Sequence, residues 1–438
     1  MSGWRSCWPL RVAHKPQGGP SNVSAALAAD VLSRVLQGRT LTQALEAVTL
    51  NPVGRGPVLD MAYGTLRYKG TLEAVLSRLL KKPPDDKYVH ALLLAALYLL
   101  AYTREAPYAV VDNAVKAAPH HLKGLVNAVL RNFLRQREDL LEAAKQTRAG
   151  RTNFPDWWVE KLKLAYPGQW ESVLSASQLH PPMTLRVNCR KGTVAAYLAG
   201  LAAAGMVARQ SGEDALTLEK PVAVDRLPGF ADGRVSVQDA GAQWAARILD
   251  VRDGMRVLDA CAAPGGKTGH ILELADCALL ALDADAARLE RVRQNLARLG
   301  LNAELRVGDA GSPQDWWNGR PFERILADVP CSASGVVRRN PDIKWLRRPA
   351  DIAKFARQQA AILDALWQTL APGGKLLYAT CSTFPEENAQ QIESFLARQA
   401  DASLLALPPE LGNGQLLPDD DHDGFYYALL QRAHAAPE

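Results

Sequence analysis

At 438 residues the chain is too long for one ordinary core, so its length points to two to four domains. With 48% hydrophobic and 22% charged residues and no long biased tract, it reads as a globular protein with a sizeable core, which excludes a disordered or fibrous chain. The formal net charge of +5 and sequence pI of about 8.8 permit a nucleic-acid partner without requiring one.

Residues 1–20 carry scattered charges and no continuous apolar core, and read as a flexible leader rather than a secretory signal. From 21 to 145 apolar residues recur at three- and four-residue intervals, as in Ala25, Leu27, Ala28, Val31, Leu32, Val35 and Leu36, which predicts an all-α bundle of five to seven helices. Its expected breaks fall at Asn51-Pro52, Pro83-Pro84, Ala106-Pro107 and Ala118-Pro119, because proline has no backbone donor. The longest apolar run, 91–102, is well short of the roughly 20 residues that cross a bilayer, so a buried helix and no membrane partner are expected. Polar, Gly- and Pro-containing sequence at 146–155 reads as a linker.

Residues 155–235 open with an aromatic helix (WWVEKLKLAY), then alternate strand-like 183–187, helical 194–204 and strand-like 215–218, which predicts a small α/β middle domain. Across 236–438 the alternation becomes regular, with strand-like runs at 256–260, 278–283, 303–307, 324–328 and 375–379 separated by helices. That is the pattern of a doubly wound, Rossmann-like parallel sheet, with 415–417 and 424–431 as a closing antiparallel hairpin. Cys7, Cys189, Cys261, Cys277, Cys331 and Cys381 include no C-x-x-C pair, so neither a disulfide framework nor a metal site is expected, and the pattern fits a reducing cytoplasm.

Ligands of open α/β sheets bind outside the carboxyl ends of the strands. The first strand of the large domain ends in DACAAPGGKT (259–268), where small residues and Gly265 and Gly266 precede a helix, a turn that lets backbone amides approach a carboxylate. An ordinary tight strand-to-helix turn is the alternative. Asp283 with Asp285, Asp309 and Asp328 close the next strands. Each alone reads better as a helix cap or a solvated loop, but as an ordered set they suit a cationic sulfonium nucleoside better than a phosphate-bearing cofactor.

Cys331 in DVPCSASG and Cys381 in ATCSTFPEEN also follow strands. Either alone reads as a small buried hydrophobe; in turns rich in Ser, Pro or Gly, both read as thiols facing one crevice. A thiolate added to carbon 6 of cytosine makes carbon 5 nucleophilic toward a sulfonium methyl. The reaction also needs an acid near ring nitrogen 3 and a base for the carbon-5 proton, functions that a second thiol and Asp328 are able to supply.

In DACAAPGGKT, PCS and TCS, and further in RLERVRQNLARLG (288–300), RRNPDIKWLRR (338–348) and STFPEENAQQIE (382–393), the chain resembles the RNA 5-methylcytidine methyltransferases. The resemblance implies an S-adenosylmethionine-dependent catalytic domain, with S-adenosylhomocysteine as product. Cys261, Ala262, Ala263, Pro264, Gly265, Gly266, Lys267, Asp283, Asp309 and Asp328 would bind the donor. By the same motifs Cys381 would attack the base, Cys331 would assist product release and Asp328 would make a polar contact in the active site. In YAVVDNAVKAA (108–118) and LKGLVNAVLRNFL (122–134) the amino-terminal part is similar to the RNA-binding antitermination factor B fold. That domain order resembles the bacterial small-subunit (16S) ribosomal RNA cytosine-5 methyltransferases, which implies ribosomal RNA as partner and a chain acting as a monomer in the cytoplasm. Val329 and Ala333 depart from the family's more common Ala and Gly.

Arg338, Arg339, Lys344, Arg347 and Arg348, with Trp345 among them, follow the PCS loop and are expected to neutralise phosphates and stack a base; a solvated basic face is the plain alternative. A stacked base hides carbon 6, so the target cytosine is expected to be unpaired or flipped out. A DNA cytosine methyltransferase and a noncatalytic RNA-binding assembly factor are the competing readings. The TCS cysteine opposes the first, and the intact thiols and cofactor loop oppose the second.

Overall fold

The computed structural model describes residues 21–50 and 52–434, so the expected leader, 1–20, lies outside the described residues. The described chain forms two compact units, one up to Asp156 together with Asn340–Leu346, the other Trp157–Arg339 together with Arg347 onward.

The first unit is helical. Among its described residues the helices Asn22–Leu36, Leu41–Glu46, Pro52–Arg67, Lys69–Leu79, Lys87–Tyr102, Pro107–Ala117, Lys123–Arg135 and Arg137–Ala144 outnumber the five to seven that periodicity predicts. The excess comes from Leu41–Glu46, less than two turns long, and from a single-residue interruption at Tyr68, both shorter than a periodicity window resolves. Local chemistry sets the ends. Ser21 and Ser24 form a reciprocal cap, Asp86 accepts from the amides of Tyr88 and Val89, and Pro107 starts its helix where no donor is needed. The apolar run lies in Lys87–Tyr102, whose residues from Val89 to Leu100 are all buried. No helix among the described residues is long and apolar enough to cross a membrane.

Residues 148–154, read from the sequence as linker, are folded. A short helix, Arg148–Thr152, ends in Asn153 at φ 57°, and the Asn153 side-chain oxygen accepts from the Thr71 amide at 2.9 Å while Thr71 Oγ1 donates to Gly150 O at 2.7 Å. At Asn153 polarity serves buried hydrogen bonding, whereas Gln146, Thr147 and Arg151 are exposed. Asn340–Leu346 also packs within this unit: Asp342 accepts from the Leu41 amide (2.9 Å) and the Trp345 indole donates to Leu66 O (2.7 Å).

The second unit holds two sheets. The smaller, antiparallel throughout, has the order β2(Ala208–Gln210)-β3(Ala215–Leu218)-β1(Met183–Val187)-β4(Val235–Val237), with the helix Val194–Ala203 between β1 and β2. The larger sheet is mixed. Its parallel part runs β7(Glu304–Val307)-β6(Ala278–Asp283)-β5(Arg256–Asp259)-β8(Phe322–Asp328)-β9(Leu370–Thr380). It continues antiparallel into β12(Phe425–Arg432), which pairs with β10(Ala402–Leu404) and, as the expected closing hairpin, with β11(Gln415–Leu416). The central strands are buried on both faces, by Val257, Leu326 and Leu377 on one and Leu258, Ile325 and Leu376 on the other. Strand order reverses between β5 and β8, and such a switch point opens a crevice at the carboxyl ends of the strands.

Candidate active site

The crevice begins with the turn after β5. The Ala260 amide donates to Leu326 O and the Ala262 amide to Leu282 O, both at 2.9 Å, so the turn is tied to the neighbouring strands β8 and β6. Gly265, at φ 94°, then starts the helix Gly266–Leu274; that conformation favours glycine, and a Cβ there would lie a tight 3.1 Å from Val292 Cα.

Around this turn the strand-end carboxylates divide by environment. Asp283, 3% exposed, accepts from the amides of Ala263 (3.1 Å) and Asp285 (3.0 Å). Asp285 caps its own helix through the amides of Ala287 and Arg288, so for it the plain cap reading holds. Asp309 is exposed and accepts from the Gly311 amide at 2.9 Å. Asp259, 1% exposed, takes a hydrogen bond from Thr268 Oγ1 at 2.7 Å; burial pushes its carboxyl up to about 7, against the pull of that hydrogen bond. Burial, with Asp328, Asp259 and Asp283 around it, likewise raises the Cys261 thiol, which stays neutral.

Lys267 donates to Asp328 at 2.5 Å. Burial alone lowers an ammonium's pKa, yet Asp328, with Cys381 and Asp259, outweighs it and raises that of Lys267, so this cation persists beside the thiols. The thiols themselves meet: Cys331 Sγ and Cys381 Sγ are 3.4 Å apart, one on the loop after β8 and the other after β9. Hydrogen bonding to Cys381 and burial raise the Cys331 thiol well above its ordinary value, so Cys331 holds its proton.

The loops are joined beneath the sulfurs by Glu387, which is fully buried. Its carboxylate accepts from Ser332 N (2.7 Å), Ser332 Oγ (2.5 Å), Ser382 Oγ (2.6 Å) and Gln359 Nε2 (3.2 Å). Sequence reasoning assigned it no role; the only signal was its occurrence in PEEN, six residues after Cys381. Arg186 on β1 was missed as well. It forms a buried bidentate pair with Glu273 and donates to Gly266 O at 2.9 Å, so the small sheet braces the helix Gly266–Leu274.

The basic segment after the PCS loop requires correction. Arg338 and Lys344 are each 1% exposed: Arg338 pairs with Asp423, and Lys344 donates to Arg67 O at 3.1 Å over the Phe154 ring. Burial and Arg67 drive the Lys344 pKa well down. Arg339 is held by Asp239 and Asp423, and the Trp345 ring is covered by the Lys69 ammonium. Buried and paired within the protein, Arg338 and Lys344 do not form the expected RNA contact, while Arg339 and Trp345 are half-buried against protein partners. Arg347 is half-buried, donating to Ser332 O at 3.1 Å, and Arg348 is exposed.

Three features converge: a reversing Rossmann-like sheet, a glycine turn at its switch point and a ring of strand-end carboxylates. Together they define the fold class of Rossmann-like methyltransferases. Residues 246–431 match the family described as 16S rRNA methyltransferase RsmB/F, residues 154–225 the RsmF/B-like ferredoxin-like domain, and residues 24–135 the NusB family. The ribosomal RNA small subunit methyltransferase B of Vibrio cholerae is 46% identical over 425 residues, 94% of this chain and 98% of that protein. Its namesake from Pseudomonas putida is 46% identical over 429 residues, 93% and 98% of the two chains. The crystal structure of a methyltransferase homolog protein from Pyrococcus horikoshii aligns with a TM-score of 0.58 at 27% identity, over 65% of this chain and 97% of that one. The chain belongs to the ribosomal RNA small subunit methyltransferase B family.

Proposed function

We propose that this protein transfers the methyl group of S-adenosylmethionine to carbon 5 of a cytosine in 16S ribosomal RNA, through a transient bond between Cys381 Sγ and carbon 6 of the ring. The observation that carries the reading is the pair of thiols, 3.4 Å apart, beside the Lys267–Asp328 ion pair at the carboxyl end of a methyltransferase sheet.

The crevice suits the donor. The amides of Gly266 and Lys267, at the start of the helix, receive the amino-acid end, Asp283 the ribose and Asp309 the purine edge, while the carboxylates favour a positively charged ligand. When bound, S-adenosylmethionine supplies an electrophilic methyl group and leaves as S-adenosylhomocysteine. The protein's own residues do the rest. The Lys267 ammonium stabilises negative charge on Cys381, whose sulfur adds to carbon 6 and makes carbon 5 a nucleophile. Asp328, held by Lys267, makes the polar contact to the cytosine ring as charge develops. After a base removes the carbon-5 proton, the carbon 6–sulfur bond breaks. Cys331, which holds its proton, donates a hydrogen bond to the departing Cys381 sulfur, and so assists release.

The thiols require an unstacked base, so the target cytosine is unpaired or flipped out. Arg347 and Arg348 are the remaining candidates for phosphate contact, and a monomer in the cytoplasm suffices for the chemistry. The decisive experiment incubates the protein with isotopically labelled S-adenosylmethionine and, separately, 16S ribosomal RNA, other RNA and DNA, then identifies the methylated nucleoside by mass spectrometry. Label in 5-methylcytidine of 16S RNA is the expected result. Label in DNA alone, or at another atom of the nucleoside, refutes the proposal.

A further inference from the structure

We infer that Glu387 is a positioning residue for the reaction proposed above, a single buried carboxylate that sets the register of Cys331 and Cys381 by gripping the residue that follows each. The two cysteines are 50 residues apart in the chain, on separate loops. Their neighbours Ser332 and Ser382 both donate to Glu387, the first through its amide and hydroxyl, the second through its hydroxyl. The carboxylate is itself fixed: Tyr378 OH donates to Glu387 O at 2.7 Å, and Gln359, which also holds Pro330 O at 3.0 Å, donates to Oε1. Pro330, Ser332, Ser382 and the Glu387 backbone are thereby locked into one hydrogen-bonded block around the sulfurs.

A carboxylate suits this position because it offers acceptors on both oxygens to donors arriving from two loops. Its buried charge is tolerated through those hydrogen bonds. The charge also acts on the chemistry: after hydrogen bonding to Cys381, burial and the charge of Cys381, Glu387 adds to the forces that keep Cys331 protonated. Neighbouring Glu386 does something different, pairing with Lys161. Loss of the grip is expected to shift the loops by an ångström or so, and misplacement on that scale costs about 100-fold in rate.

The full-length protein, Glu387→Gln, Glu387→Ala and the control Glu386→Gln are compared in three measurements: donor Kd, kcat on 16S ribosomal RNA, and the pH profile of iodoacetamide labelling at Cys331 and Cys381, resolved by peptide mass spectrometry. Wild type and Glu386→Gln should label Cys381 well ahead of Cys331. Glu387→Gln preserves shape but removes the charge, and should narrow that preference about tenfold by bringing Cys331 labelling to lower pH. Glu387→Ala should lower kcat about 100-fold with donor Kd within threefold of wild type. A purely structural role would weaken donor binding and activity together and leave the labelling preference unchanged, which overturns the inference. If Glu387→Ala does not fold, Ser332→Ala and Ser382→Ala take its place, each removing one donor to the same carboxylate; full kcat in both overturns the inference. Failure of wild type to methylate any RNA would refute the reaction instead, while the labelling profiles would still report on the grip.

Discussion

Replacing Arg186 with Met should destabilise the second unit by about 3–5 kcal/mol, the cost of removing one partner from a buried ion pair. The Arg186 and Glu273 side chains are 0% and 2% exposed, and Arg186 Nε and one terminal nitrogen each donate to a different Glu273 oxygen at 2.8 Å. Charge-assisted hydrogen bonds contribute about 1.5–3 kcal/mol each, so the loss of two gives about 3–6 kcal/mol, an overlapping range by a separate route. The partner group explains the size of the effect: Met fills the volume but leaves the Glu273 carboxyl in the interior without its guanidinium. Removing both charges in Arg186→Met/Glu273→Leu should therefore recover most of the loss, because well-packed apolar pairs often replace buried ion pairs at little net cost. Urea denaturation followed by tryptophan fluorescence measures both variants, provided the slopes match. Because Gly266 O also loses its Arg186 donor, the single variant should raise KM for S-adenosylmethionine. A single variant costing less than about 1 kcal/mol, or a double variant as unstable as the single, would refute the reasoning.

The thiol assignments separate by phenotype: Cys381→Ala should abolish turnover and any covalent RNA adduct, whereas Cys331→Ala should let an adduct accumulate. Denaturing gel electrophoresis reads both, and swapped phenotypes reverse the roles. Gly335→Ala should lower Tm and kcat together, since a Cβ there would lie 2.2 Å from Gly424 O and disturb the Gly335 amide's hydrogen bond to Cys381 O. An unchanged Tm would contradict that packing. Two buried groups push the pH response of stability in opposite directions. Burial lowers buried His270 to about 4 from 6.5, so it binds its proton more weakly when folded, and stability is lost as pH falls through that window. Burial raises Asp259 to about 7 from 3.8, so its contribution is lost as pH rises through that window. Asp259→Asn should therefore steepen the gain in stability between pH 4 and 6.5; urea midpoints that move in parallel with wild type would disprove it.

Much of the architecture is a local property of the chain. Three-and-four spacing, proline breaks and strand–helix alternation identify the helical bundle, the small mixed domain and the doubly wound sheet. Strand-end motifs point to the donor turn, the carboxylates and both cysteines, because turn chemistry and periodicity act between residues a few positions apart. What each charged side chain meets across space was decided only by tertiary structure. Arg338 and Lys344 look like a solvated basic stripe, yet their partners Asp423 and Arg67 lie 85 and 277 residues away and take them into the interior. Glu387 reads as an ordinary acidic residue until Ser332, 55 residues away, and Ser382 converge on it. Sequence spacing encodes which face a residue occupies, but the energy of a buried charge depends on the groups that replace its water, and those are assembled only when distant segments fold together.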